Sequence, residues 1–323
     1  MTQFNPANTD KVRLGIDASL LGLSVLNRGK YKGDRFLRDT LGQFVEYVPF
    51  APEEECGLEE VWEALRLEGD VRAPRLKNAK TGEDLTESVL RWAGRKAGEL
   101  ETQDLCGFVL KGGSPISGME RVYVHTGDGT RRKEGAGLLA SILMERFPLL
   151  PMEEDGRLHD PGLRENFIER IFVLKRWREM LTHGGKIGQL VDFHTRHKLL
   201  ILAHSPKHAS SLGGLVAKAK ELAREDLYTR YWSLLMEALR LKATVKKHTN
   251  VLHHLMGYFK GRLSGDEKQE LLEVIGSYYE GGLPLIVPIT LLNHYVRKYD
   301  EPYLRKQVYL EPHPLELKLR NHA

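Results

Sequence analysis

The nine residues Leu110-Lys111-Gly112-Gly113-Ser114-Pro115-Ile116-Ser117-Gly118 have a spacing that can do chemistry. The apolar run from Leu105 to Leu110, broken by Gly107, reads as a buried strand. The paired glycines behind it free the backbone to turn and to offer successive N–H groups to an anion or oxyanion. Pro115 forces Ser114 into an extended conformation, which presents the serine at a strand end, where open α/β sheets receive ligands. An ordinary strand-to-loop turn would use the same residues. Two later segments concentrate cations and imidazoles. Spacings of three and four put His194, His197 and Lys198 on one helical face beside Arg196, and Lys246, Lys247, His248 and Lys260 form a second group. Lys and Arg on such faces meet phosphates, with rings available for stacking; a solvated surface has the same composition. Because no third ligand completes a set around His194 and His197, the prediction is no metal.

The elements that must position these residues change character midway. Val12 to Ile16, Val45 to Phe50, the run before Lys111 and Arg121 to His125 read as strands. Helices are predicted from Asp34 to about Phe44, from Thr81 to about Leu100 and from Gly135 to Phe147. This alternation predicts a small α/β domain with a largely parallel sheet over residues 1–150. The Pro-, Gly- and acid-rich segment 151–162 reads as a linker. Beyond it the period becomes helical, with helices expected at about 164–182, 186–204, 207–223, 225–241, 243–262, 266–280 and 288–299, an all-α domain over 163–323.

Composition is that of a globular chain, with 41% hydrophobic and 28% charged residues. The net charge of +4 conceals an asymmetry. Residues 1–160 carry 22 Lys and Arg against 27 Asp and Glu, whereas residues 161–323 carry 26 against 17 together with 11 of the 13 histidines. A basic half of this kind suggests a polyanionic partner. The two cysteines, Cys56 and Cys106, form no CxxC pair, and the polar start MTQFNPANTDK is no signal peptide, so a cytoplasmic protein is expected. The run Leu283 to Leu292 contains two prolines and is too short to span a bilayer, so no membrane association is expected.

Several stretches carry a family resemblance. They are SLLG, DRFLRDTLGQFVEYVPFAPEEECGL, GFVLKGGSPISGMERVYV and GLLASILMERFP in the first half, and RLHDPGLRENFIERIF, FHTRHKLLILAHSP, HTNVLHHLMGYFK and QVYLEPHPLELKLRNHA in the second. With these the chain resembles proteins that fuse a thiouracil-desulfurase (TudS-type) domain to a YbgA-type helical domain. The resemblance implies action on 4-thiouridine in tRNA, replacing sulfur by oxygen. It also implies a 4Fe–4S cluster on three cysteines, whose open iron takes the sulfur, with a serine and a glutamate assisting. By the same resemblance the three cysteine positions fall on Ser19, Ala51 and Ser117. A serine hydroxyl is hard and protonated at neutral pH, and alanine offers no ligand. Ser114, Glu53 and Glu46 are the catalytic candidates that remain, with Lys111, Gly112, Gly113, Gly118 and Gly29 lining the site.

The sequence therefore predicts a tRNA-binding relative of the desulfidases without a cofactor and with little or no desulfuration. General acid–base catalysis supplies about 10²–10⁴-fold, less than most enzymes need. Thiolated nucleotides remain candidate ligands. Two other readings are a metal-independent hydrolase of thiolated nucleosides using Ser114 and a carboxylate, and a protein-interaction module.

Overall fold

The computed structural model describes residues 11–23 and 33–322. The chain divides into two compact units, Met1–Asp160 and Pro161–Ala323.

In the first unit, strands β1 (Val12–Asp17), β2 (Val45–Phe50), β5 (Gly107–Leu110) and β8 (Met152–Glu154) form a sheet in the order β2-β1-β5-β8. All of its pairings are parallel, with Asp17 opposite Phe50, Ile16 opposite Val109 and Leu110 opposite Glu154. Strand β5 is buried throughout, as expected for a parallel strand covered on both faces. Gly15 of β1 is required there, since a Cβ would lie 2.5 Å from the Phe108 ring. Helix α2 (Thr86–Glu101) packs Val89, Trp92, Ala93, Ala97 and Leu100 into the core, where they meet Leu139 and Leu143 of α3 (Leu138–Arg146).

The parallel sheet was legible; a second sheet was not. Strands β3 (Leu65–Asp70), β4 (Ala73–Asn78), β6 (Val122–His125) and β7 (Arg131–Gly135) form a mixed sheet in the order β4-β3-β6-β7. One face of it is buried, and that face needs few apolar residues: Leu67, Leu76, Val122 and Val124. Strand β7 reads RRKEG and has no apolar pattern at all. Segment 151–162, read from composition as a linker, is corrected in part: Met152–Glu154 forms the edge strand β8, held by Phe108 N–H to the Pro151 carbonyl (2.9 Å) and Asp155 N–H to the Leu110 carbonyl (3.1 Å). Backbone pairing placed it there despite its acids. The segment expected as a helix from Asp34 begins with Asp34 Oδ1 accepting the Leu37 N–H at 2.9 Å, but it winds as a short π-helix and a 3₁₀ turn ending at Gln43.

The second unit is built of α-helices, α4 (Pro161–Thr182), α5 (Ile187–His204), α6 (Pro206–Ala217), α7 (Arg224–Arg240), α8 (Val245–Gly257), α9 (Gly265–Tyr279), α10 (Ile286–Lys298) and the short α11 (Pro302–Arg305), and closes in an irregular segment with one 3₁₀ turn at Leu315–Leu317. Side-chain caps mark the starts of three of these helices. Ser205 and Thr244 accept from N–H groups of α6 and α8, and Ser264 with Glu267 makes a capping box on α9. Trp177 stacks on Tyr231 at 5.4 Å in a core that includes Phe167, Phe193 and Leu235. No helix among the described residues is long and apolar enough to cross a membrane.

Candidate functional site

The loops that leave β1, β2 and β5 at their carboxyl ends hold the polar groups of the first unit. Asp17, the last residue of β1, is fully buried, and its Oδ1 accepts from the Ser19 hydroxyl at 2.6 Å and from the Ser19 N–H at 3.1 Å. Its Oδ2 makes no hydrogen bond of ordinary geometry among the described residues. Burial pushes the Asp17 carboxyl up, against the hydrogen bond from Ser19 and the positive charge of Lys111. Glu53 sits on the four-residue helix α1 (Pro52–Glu55) that follows β2. It is also buried and raised, first by burial and then by the like charge of Asp17. Lys111 opposes both shifts and lies 5.5 Å from the Trp62 ring. Two buried carboxyls beside one ammonium are best accommodated with at least one proton between them.

Ser114 is hydrogen-bonded within its own loop. Its Oγ accepts from the N–H groups of Ile116 and Ser117, each at 3.1 Å, and its carbonyl accepts from the Gly118 N–H at 2.9 Å. The hydroxyl therefore caps its own loop. No carboxylate or imidazole is hydrogen-bonded to it among the described residues. The loop is further pinned from β8. The Gly112 N–H donates to Asp155 Oδ1 at 2.8 Å, and the Met119 N–H donates to Glu154 Oε1 at 2.7 Å. Gly113 adopts a positive φ of 72°, and a Cβ on Gly118 would lie 2.6 Å from Val122 and 2.8 Å from the Ser114 carbonyl.

Glu46 is a correction. It lies near the amino end of β2, exposed and ion-paired with Arg13 at 3.2 Å, because strand register places it opposite Arg13, not beside the loops. Gly29 lies outside the described residues. Asp17 was missed as a site residue, although an aspartate closing a strand just before a short helical turn is a capping signal in the sequence.

Ser19, Ala51 and Ser117 follow β1, β2 and β5, so the three positions implied by the resemblance do sit at one edge of the sheet. Their chemistry does not fit a thiolate-bound cluster. The two thiols do not compensate. Cys106 precedes β5, its N–H bonded to the Arg13 carbonyl at 2.7 Å, so it lies at the opposite end of the strand from Lys111. From Cys106 to Lys111 is five residue steps, roughly 16 Å of strand. Cys56 ends α1, five residues past Ala51, where burial first and then the Glu55 and Glu53 charges push its thiol up to about 12.

The basic groups of the second unit do not form one exposed face. His197 is buried, its ring stacked on Phe193 at 3.9 Å and its Nδ1 2.7 Å from the Phe193 carbonyl. Burial and the Arg176 charge hold it well below the usual imidazole range. His248 is buried against the Tyr309 hydroxyl at 2.9 Å and pushed down to about 3 by burial. Lys247 donates to the carbonyls of His204 and Lys242, and His194 meets the Tyr231 hydroxyl at 3.1 Å. Arg196 pairs with Asp192 at 2.9 Å, and Lys198 lies 5.1 Å from the Tyr303 ring. Lys246 and Lys260 are exposed. The helical period was read correctly, but α5 packs against α4, α6, α7 and α8, so its imidazoles point inward.

These inward imidazoles border a buried ionic network. Arg320 donates from Nε to Glu165 and from Nη2 to Glu169, both at 2.9 Å, and from Nη1 to the Tyr309 carbonyl at 2.6 Å. His204 Nε2 lies 3.0 Å from the other Glu169 oxygen. Glu165, Glu169 and His313 have ligand atoms within 4.8 Å of one another, but both carboxylates already hold Arg320.

Residues 14–155 match the family model described as 2-thiouracil desulfurase, and residues 198–314 match a family described as a protein of unknown function (DUF1722). Over 153 residues, 47% of this chain and 90% of the relative, it is 36% identical to the protein YbgA of Escherichia coli (strain K12). A solved structure titled [4Fe-4S]-dependent thiouracil desulfidase TudS aligns at 25% identity with a TM-score of 0.38, over 49% of this chain and all of that one. An α/β unit of the first type followed by a helical unit of the second places this chain in the TudS/YbgA-type family of two-domain proteins.

Proposed function

We propose that this chain is a cytosolic tRNA-binding relative of the thiouracil desulfidases that holds no 4Fe–4S cluster and has little or no desulfuration activity. The observation that carries this reading is the donor set at the sheet's carboxyl edge. Hydroxyls of Ser19 and Ser117 and the methyl of Ala51 stand where three thiolates are needed, Cys106 is at the opposite end of β5, and Cys56 alone supplies one thiol, not three. Without a thiophilic metal, the groups left are a carboxyl pair, one lysine and a serine whose oxygen already accepts two N–H bonds. Those groups suit holding a polar ligand better than breaking a carbon–sulfur bond. The excess of cations in the second unit supports a polyanionic partner.

Protein purified without oxygen should contain no stoichiometric iron and should leave 4-thiouridine in tRNA unchanged. Filter binding should show tRNA affinity that falls steeply with salt. About four irons per chain, or turnover of 4-thiouridine, would sink the first half of the proposal. Affinity that ignores salt, or no binding, would sink the second.

A further inference from the structure

The first unit is acidic overall, yet the solvent face of its mixed sheet is basic. In β6, Val122 and Val124 point into the core, so Tyr123 and His125 point out. Register carries that face across the sheet. Tyr123 is opposite Lys133 and His125 is opposite Arg131 on β7. On the other side Arg66 precedes Leu67, the residue paired with Val124, and Arg66 is opposite Lys77 while Glu68 is opposite Arg75. The result is a row of Lys77, Arg66, Tyr123 and Lys133, with Arg75, Glu68, His125 and Arg131 beside it. Glu68 pairs with Arg66 at 2.5 Å and with Lys77 at 3.3 Å, and Asp84 pairs with Arg75. Five cations thus face two carboxylates, and Arg131 and Lys133 have no acidic partner among the described residues.

Tyr123 is 44% exposed at the centre of this face, with the Arg131 guanidinium 4.2 Å and the Lys133 ammonium 5.3 Å from its ring. The Arg131 guanidinium lies over the Tyr123 ring, and the outer face of this guanidinium–tyrosine pair is a flat surface on which an unpaired base stacks, while Lys133 and the neighbouring cations meet its phosphates. A duplex presents no free base face, so the arrangement suits single-stranded nucleic acid.

We infer that the outer face of the β4-β3-β6-β7 sheet, centred on Tyr123, binds an unpaired segment of RNA. This deepens the tRNA-binding reading and rests on it. It assigns the RNA contact of the first unit to a surface that composition gave no reason to expect.

The test uses the full chain, a 12-nucleotide oligouridine and tRNA, each titrated by fluorescence anisotropy across a salt series. Tyr123→Ala should weaken oligouridine binding about tenfold, and Tyr123→Phe, which keeps the ring, should retain it. The double variant Arg131→Gln/Lys133→Gln should lower the salt slope for oligouridine by about 1.4, two phosphate contacts' worth. Ultraviolet crosslinking of oligouridine should place an adduct on the peptide containing Tyr123. If the parent binds tRNA and all three variants bind both RNAs as the parent does, the sheet surface is refuted and tRNA binding stands. If the parent binds neither RNA, both readings fall together.

Discussion

Replacing Arg320 by methionine should expose how the helical unit is held together. Arg320 is 3% exposed and joins Glu165 and Glu169, four residues apart on α4, to the Tyr309 carbonyl. Without it two buried carboxylates face each other, and a buried carbonyl loses its donor. Removing one partner of a buried ion pair costs about 3–5 kcal/mol, and an orphaned carbonyl about 1–3 kcal/mol, with incomplete additivity. A loss of about 4 kcal/mol is expected, or roughly 8–16 °C in Tm for a unit of this size. The cost should depend on pH. Burial and the neighbouring Glu169 charge raise Glu165. Burial also disfavours the Glu169 anion, but the His204 hydrogen bond and the charges of His204 and Arg320 carry it below the usual range. Without Arg320 both carboxyls rise, so the variant binds more protons when folded and is penalised more at pH 8 than at pH 5. Urea denaturation followed by far-UV circular dichroism at the two pH values reads this directly. Glu165→Gln in the methionine background should restore part of the stability by removing one charge. A loss under about 1 kcal/mol would refute the network as a source of stability, and an equal loss at both pH values would refute carboxylate repulsion as the cause of that loss.

Three further outcomes follow from the same geometry. Ser114→Ala should destabilise the first unit by about 1–3 kcal/mol in urea, because the Ile116 and Ser117 N–H groups lose their acceptor. Gly137→Ala should lower Tm and yield, since a Cβ there would lie 2.4 Å from the Ile116 carbonyl; a variant as stable as the parent would show that the loop yields freely. His248 is pushed down to about 3 and stays neutral in the fold, while the unfolded chain protonates it near 6.5. Its contribution is present above that value and lost as pH falls, at about 1.4 kcal/mol per pH unit, so His248→Asn should flatten the stability curve between pH 6 and pH 5 by about that slope.

The sequence by itself determined the two-part division, the parallel strands and nearly every helix of the second unit. Those features are written in local terms: continuous apolar runs for doubly covered strands, a 3.6-residue period for helices, and Ser, Thr and Pro at helix starts. It also determined the donor chemistry at Ser19, Ala51 and Ser117, because ligand softness is a property of residue type and needs no coordinates. Only the tertiary structure decided what each polar group faces. Glu46 and Glu53 lie within one short stretch of chain, yet register sends one to solvent beside Arg13 and the turn after β2 buries the other near Asp17. His197 and His248 carry the composition of a nucleic-acid surface but lie inside, because helix packing, not helix period, sets which face is covered. The basic platform around Tyr123 was invisible for the converse reason. Its residues come from four strands between Arg66 and Lys133, and only cross-strand pairing makes them neighbours.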